Sequence, residues 1–313
     1  YASPDLNYAN SAVMQEMKLA LAFWINQGVS GFRIDAARYL REDGPQKQLD
    51  TMSNREALDE LLSYAKSVNP ETYFIGEVFA DMKVARSYLL PVKRESEDDV
   101  IGLDAIYNFE FFGTIRDLFE PEGAANYLTT NEGTQTAKRT IEDLYTRLVA
   151  ARPSDKQLVL FINNHDVTRF KASHVSLIPA KLAAAFLILS PFNASLYYGE
   201  ENGLPQKPGD NHEFVRGLMN WDASVNMGFN TGQRPWMDDA RWFPWIEKKL
   251  FSPWSMFDDK ASVSAVSAGS GLNHWYARLL HIKQSDDVFS NGPQLTFLPG
   301  SSTIMHIEYA SGR

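Results

Sequence analysis

VSGFRIDA (29–36) decides the fold. It is a short apolar run that finishes in a carboxylate, Asp35. Two other runs do the same: TYFIGEVF (72–79) carries Glu77 at its polar end, and LVLFINNHD (158–166) closes on Asp166. Short apolar runs bounded by polar residues read as buried parallel strands. In a barrel of parallel strands, chemistry collects at the C-terminal ends. A single acid at a strand end is more often an ordinary strand-to-loop residue. Three such acids, with Arg33 and His165 beside them, make that reading weak.

Around these runs, strands alternate with helical patterns, which predicts βα units and a parallel sheet. Strands are expected over 29–35, 72–78, 103–109, 157–163 and 194–198. Helices are expected from near Ser11, capped by Asn10 or Ser11, and over 53–68, 81–89, 134–150, 178–190 and 273–284. The fold class is therefore α/β, with five strands of a (β/α)8 TIM barrel in this chain. A closed barrel needs eight strands and typically ~250 residues. Both ends read as cut. Alone, such a piece would carry two raw sheet edges, and it is expected to aggregate or to need its N-terminal part.

Stretches 92–100 and 120–136 are polar and read as surface loops. Residues 199–272 form a connection far longer than usual, rich in aromatics (Trp221, Phe229, Trp236, Trp242, Phe243, Trp245, Phe251, Trp254) and so expected to be folded. Within it, 259–272 is of low complexity and expected to be flexible. QLTFLPG and STIMHIEYA, beyond Asn291, read as two strands of a further β domain. The expected organisation is 1–10 as the end of a small inserted domain, 11–290 as barrel, and 291–313 as the start of that β domain.

The 313 residues carry a formal net charge of −9 and no basic run, which argues against nucleic acid and anionic membranes as partners. No segment approaches the roughly 18 continuous apolar residues of a membrane span, and no signal peptide is visible. The absence of cysteine excludes disulfides, a thiol nucleophile and cysteine-bound metals. That composition fits the cytosol and exported enzymes alike, and an extracellular or periplasmic location is slightly favoured. Oligomeric state is left open.

Arg33 and Asp35 are two apart on a strand, so both side chains share one face. A cation there keeps Asp35 ionised, as a nucleophile attacking an anomeric carbon requires. A structural ion pair is the bland alternative. Glu77 follows Phe74, Ile75 and Gly76, an apolar surround that favours the protonated form a general acid needs. His165 beside Asp166, after Asn163 and Asn164, suits sugar hydroxyls. Two carboxylates at about 5 Å give retaining glycoside hydrolysis.

GFRIDAARY (31–39) resembles the second conserved region of the α-amylase family; FIGEVF (74–79) resembles its third and FINNHD (161–166) its fourth. SPDLN (3–7), SLYYGEENG (195–203), RGLMNW (216–221) and GFNTGQRPW (228–236) resemble further family segments, in the family's order. The resemblance implies Asp35 as nucleophile, Glu77 as acid/base, Asp166 as transition-state stabiliser, Arg33 as the group holding the nucleophile, and His165 on sugar hydroxyls. Arg38 and Tyr39 stand where many α-amylases have a Lys-His pair that binds the leaving-group side. Ala36 is the residue of members cutting α-1,4 bonds, where α-1,6-specific relatives often carry valine. The family's first region is absent, and Leu218 replaces a usual proline.

The resemblance implies a retaining hydrolase of α-1,4-glucosidic bonds in starch, glycogen or malto-oligosaccharides. It implies no cofactor for the chemistry and leaves room for a structural calcium whose usual ligands lie largely in segments absent here. An α-glucosidase or glucanotransferase on short malto-oligosaccharides is the near alternative. A non-catalytic sugar-binding relative is the alternative of another class, disfavoured because all three acids are present.

Overall fold

The computed structural model describes residues 6–91, 101–170, 177–204, 215–217, 219, 221, 271–289, 294–298 and 305–310. These divide into two compact units, Tyr1–Glu110 with Tyr145–Leu160, and Phe111–Leu144 with Phe161–Arg313. The boundaries fall within α4 (Phe109–Phe119) and α6 (Asn131–Ala151) and just beyond β4 (Gln157–Leu160).

The first unit is built on parallel strands β1 (Gly31–Ile34), β2 (Tyr73–Gly76), β3 (Ala105–Tyr107) and β4, hydrogen-bonded in that order. Each strand stops sooner than the sequence expectation; β1, β2 and β3 end directly before the polar Asp35, Glu77 and Asn108. Helix α1 (Ser11–Asn26) precedes β1, and α2 (Met52–Val68) and α3 (Met82–Ser87) lie in the crossovers from β1 to β2 and from β2 to β3. Their starts follow from capping chemistry: Asn10, Thr51 and Asp81 each accept a backbone N–H of the first turn through the side chain. Ala57, Leu58, Leu61, Leu62 and Ala65 form the buried face of α2, and Phe74, Leu103 and Ile106 are fully buried beside them. Below the sheet Lys66 donates to both oxygens of Asp104 at 3.1 Å, and Asp104 in turn accepts the Phe74 amide at 2.8 Å, tying α2 to β2 and β3.

Register fixes the functional end of this sheet. Ile34 lies opposite Gly76, so Asp35 and Glu77 are the next positions on adjacent parallel strands. Gly76 leaves no room for a side chain: a Cβ there would stand 2.4 Å from Leu103 Cδ1, and Leu103 is buried. Gly76→Ala is expected to destabilise the protein by about 1–3 kcal/mol, as overpacking does, with a matching fall in urea midpoint. An unchanged midpoint would show that the β2–β3 layer yields.

The second unit contains α5 (Pro121–Tyr127), α7 (Ile178–Ile188), the short strand β5 (Asn193–Ala194), α8 (Leu272–Ser285), and an antiparallel pair, β6 (Gln294–Leu298) with β7 (His306–Ala310). The pair realises the two strands expected after Asn291. Phe119 stacks on Phe186 at 5.7 Å, and Phe111, Ile115, Leu187 and Ile188 are buried. The expectation of a loop over 120–136 is corrected: α5 and the start of α6 occupy it. Pro121 at the first helical position initiates α5, since its missing N–H would have been unbonded there anyway. Helix α4 was likewise not anticipated. The polar stretch 92–100, the start of SPDLN, GFNTGQRPW, the aromatics from Phe229 to Trp254 and segment 259–270 lie outside the described residues; Trp221 is described and half exposed.

Candidate active site

In the first unit the end of β1 and the end of β2 present Arg33, Asp35 and Glu77 as one cluster. Arg33 donates from Nη1 to Asp35 Oδ1 at 2.5 Å, and its Nη2 lies 3.0 Å from Glu77 Oε2. One guanidinium therefore bridges both carboxylates and sets them side by side. Burial pulls the Arg33 pKa down, but the bond to Asp35 and the charges of Glu77 and Asp35 outweigh it, so the cation is held more firmly than in water. The Asp35 side chain is 74% exposed and Glu77 only 20%, so one acid faces solvent while the other is set back against protein.

The apolar surround expected for Glu77 is corrected: the Arg33 guanidinium and the loop after β1 meet its carboxyl. The Ala36 amide donates to Glu77 Oε2 at 3.0 Å, the Glu77 amide donates to Ile34 O, and the Ala37 amide donates to Glu77 O. Ala36 reaches Glu77 because its backbone adopts the left-handed region, with φ 44°. Tyr107, the last residue of β3, faces Arg33 at 6.0 Å from ring centroid to guanidinium carbon. Phe79, two residues beyond Glu77, is 66% exposed and meets Phe109 edge-on.

Arg38 and Tyr39 follow on the same loop. Arg38 grips Asp50 with Nε and Nη2 and donates from Nη1 to the Phe79 carbonyl. The bond to Asp50 holds its pKa above the ordinary value. Its guanidinium thus braces the loops after β1 and β2 against each other. Tyr39 is 41% exposed.

In the second unit the loop beyond β4 carries His165 and Asp166. Asn164 Oδ1 accepts the amides of Asp166 and Val167, folding the loop into an Asx turn. His165 Nε2 lies 3.1 Å from Asp166 Oδ2, while Arg216 donates to Asp166 Oδ1 at 2.9 Å and to the His165 carbonyl at 3.0 Å. Arg116 of α4 donates to the carbonyls of Ile162 and Thr168 from below. The structure thus gathers Arg33, Asp35 and Glu77 in one unit and His165 and Asp166 in the other. Arg216 and Tyr107 were not singled out from sequence. Arg216 opens RGLMNW, and Tyr107 ends a strand as an aromatic; both were legible signals. Among the described residues no three acidic or imidazole side chains gather as a metal site, and no helix is long and apolar enough to cross a membrane.

Comparison with known proteins gives this geometry its context. Residues 1–252 match the family described as "Alpha amylase, catalytic domain". The chain is 27% identical to "Alpha-amylase 3" of Dictyoglomus thermophilum, over 73% of this chain and 40% of the relative. It is 26% identical to the salivary alpha-glucosidase of Aedes aegypti, over 93% of this chain and 54% of the relative. Among solved structures, the alpha-amylase from H.orenii superposes with a TM-score of 0.72 at 21% identity, covering 99% of this chain and 54% of that one. The chain therefore spans about half the length of these relatives. Its parallel strands and crossover helices are part of a (β/α)8 barrel, and its class is that of the barrel glycoside hydrolases. The chain belongs to the α-amylase family.

Proposed function

We propose that the complete protein is a retaining hydrolase of α-1,4-glucosidic bonds in starch, glycogen or malto-oligosaccharides. The observation that carries this reading is Arg33 bridging Asp35 and Glu77 at the ends of adjacent parallel strands. Asp35, exposed and bonded to Arg33, attacks the anomeric carbon as a carboxylate. Glu77 protonates the departing glycosidic oxygen, leaving a covalent glycosyl–Asp35 ester. Glu77, now a carboxylate, then removes a proton from water as that water displaces Asp35, and two inversions give net retention. Asp166 stabilises the oxocarbenium-like charge and His165 binds ring hydroxyls. Tyr39 lies on the leaving-group side, with Arg38 as the brace that positions its loop. Residues of this chain perform each step without a cofactor, and a structural calcium stays within the proposal as a ligand of the whole protein.

A second reading, transfer to another sugar in place of water, is favoured by the 25% identity to the trehalose synthase of Pimelobacter over 92% of this chain and 52% of that protein. The test is maltoheptaose incubated with the complete protein and with Glu77→Gln, products followed by anomer-resolved NMR. Shorter α-anomers from wild type alone are the expected result. Longer oligosaccharides would move the assignment to the transferase, and β-anomers would overturn retention.

A further inference from the structure

Behind the His165–Asp166 loop lies a buried polar cluster to which the mechanism above assigns no part. Asn163 opens the loop and Phe170 closes it. Asn163 Oδ1 accepts the Phe170 amide, so this one side chain joins the two ends of the segment. Its other atom, Nδ2, donates to Glu200 Oε2 at 2.8 Å. Glu200 sits in a 3-10 turn (Glu200–Asn202) entered and left through Gly199 and Gly203, both in the left-handed region. Tyr276 of α8 donates to Glu200 Oε1 at 3.3 Å. All three side chains are buried, with Glu200 6% exposed and Asn163 and Tyr276 each 3%.

An ionised carboxylate at such a site is costly unless a cation meets it. The groups facing Glu200 are Asn163 from the loop, Tyr276 from α8, its neighbour Glu201, and Arg169, which lines the same small cavity. Arg169 donates to the carbonyls of Val215 and Tyr198, above the rings of Tyr197 and Tyr198, and its charge also acts on Glu200. Burial outweighs the bonds from Asn163 and Tyr276 and pushes the Glu200 carboxyl up to about 8.

We propose that Glu200 is a positioning residue that acts through Asn163 to hold closed the neck of the loop bearing His165 and Asp166. The proposal rests on the reading of that loop as part of the active site. It explains a glutamate in this buried niche: its carboxyl offers Asn163 an acceptor on a rigid turn, and Asn163 is then committed to Phe170. An aspartate would be too short to reach from the same backbone, and an apolar residue would leave the Asn163 amide without its acceptor.

The test uses the complete protein, with Glu200→Gln, Glu200→Leu, Asn163→Ala and the Leu/Ala double variant. Glutamine is neutral and keeps an acceptor, so Glu200→Gln is expected to hold kcat on maltoheptaose within about threefold of wild type. Glu200→Leu is expected to lower kcat roughly tenfold or more while KM moves less than kcat, because a buried donor loses its acceptor and the loop shifts. If Glu200 works through Asn163, the double variant is no worse than the worse single one. A folded Glu200→Leu with wild-type kcat, additive losses in the double variant, or a tenfold loss in Glu200→Gln would each overturn the proposal. Should the leucine variant fail to fold, the glutamine result decides alone. Hydrogen exchange at the Phe170 amide gives a readout free of turnover: wild-type protection in Glu200→Gln supports the proposal, and lost protection sinks it. Were wild type inactive on every α-glucan, the hydrolase reading would fall while that amide still reported on Glu200.

Discussion

Asp35→Asn is expected to lower kcat on malto-oligosaccharides by a factor on the order of 10⁴ or more, without unfolding the protein. Losses of that size follow removal of a covalent nucleophile from a site whose other parts remain. An amide cannot attack the anomeric carbon, so the ester on which double displacement depends does not form. The Asp35 side chain is 74% exposed and its main partner, Arg33, keeps Glu77. Thermal midpoints should therefore agree within a few degrees. Glu77→Gln should cost less, about 10²–10⁴, and its deficit should shrink on an aryl α-glucoside whose leaving group needs no proton. Asp35→Asn should show no such recovery in hydrolysis of that substrate. Activity of Asp35→Asn within tenfold of wild type would remove the nucleophile assignment and with it the covalent route.

The second large effect is on stability. Asp50→Ala is expected to destabilise the protein by about 2–4 kcal/mol, read from urea unfolding. Asp50 accepts from Arg38 in a two-pronged pair and from Tyr88 Oη at 2.7 Å, and Asn54 donates to Tyr88 Oη at 3.2 Å and to the Ala37 carbonyl at 2.9 Å. Removing the carboxylate strands a cation whose side chain is only 14% exposed. Breaking a buried pair costs 3–5 kcal/mol, and the range is discounted here because Asp50 keeps 28% side-chain exposure. Burial raises the Asp50 pKa, but the bonds from Arg38 and Tyr88 more than reverse this, so the folded value is depressed. A depressed acid contributes stability above its unfolded pKa and loses it as pH falls through the folded one. The difference between wild type and variant should accordingly narrow in acid. A cost below 1 kcal/mol at neutral pH would mean that the loop after β1 does not depend on this pair.

How much of this was legible in the sequence follows from the range of each signal. Asp35 and Glu77 stood out because a carboxylate closing an apolar run is a local pattern, and the one-to-one register of parallel strands then makes neighbours of them. Arg33 followed from the two-residue period of a strand. Helix α4 was hidden because its start, FEFF, runs on directly from the strand AIYN and carries aromatics that suit either state. Helix α5 was hidden because Pro121 and Gly123 read as loop residues when only their average tendency is weighed. The partners of Arg38 lay beyond any periodic rule: Asp50 is 12 residues away and Phe79 is 41. Arg38 thus carried the signature of a substrate ligand while its bonds are those of a brace. Glu200, inside the quoted SLYYGEENG, gave no sign of its burial, since the residues around it, Ile162, Phe170, Ala180 and Tyr276 among them, come from segments distant in sequence.

Ala36 bears on how this protein could be redesigned. With φ 44° it occupies backbone space that a β-branched side chain enters only at a penalty of roughly 1–2 kcal/mol, and its N–H is one of the contacts that hold Glu77. The position to which the resemblance assigns the family's linkage preference is thus mechanically joined to Glu77, the proposed acid. Under the proposed function, an engineer who installs valine there to favour α-1,6 bonds also strains the backbone whose amide holds Glu77, the proposed proton donor. New bond preference and slower catalysis would arrive as one trait, separable only by relieving the backbone elsewhere on the loop.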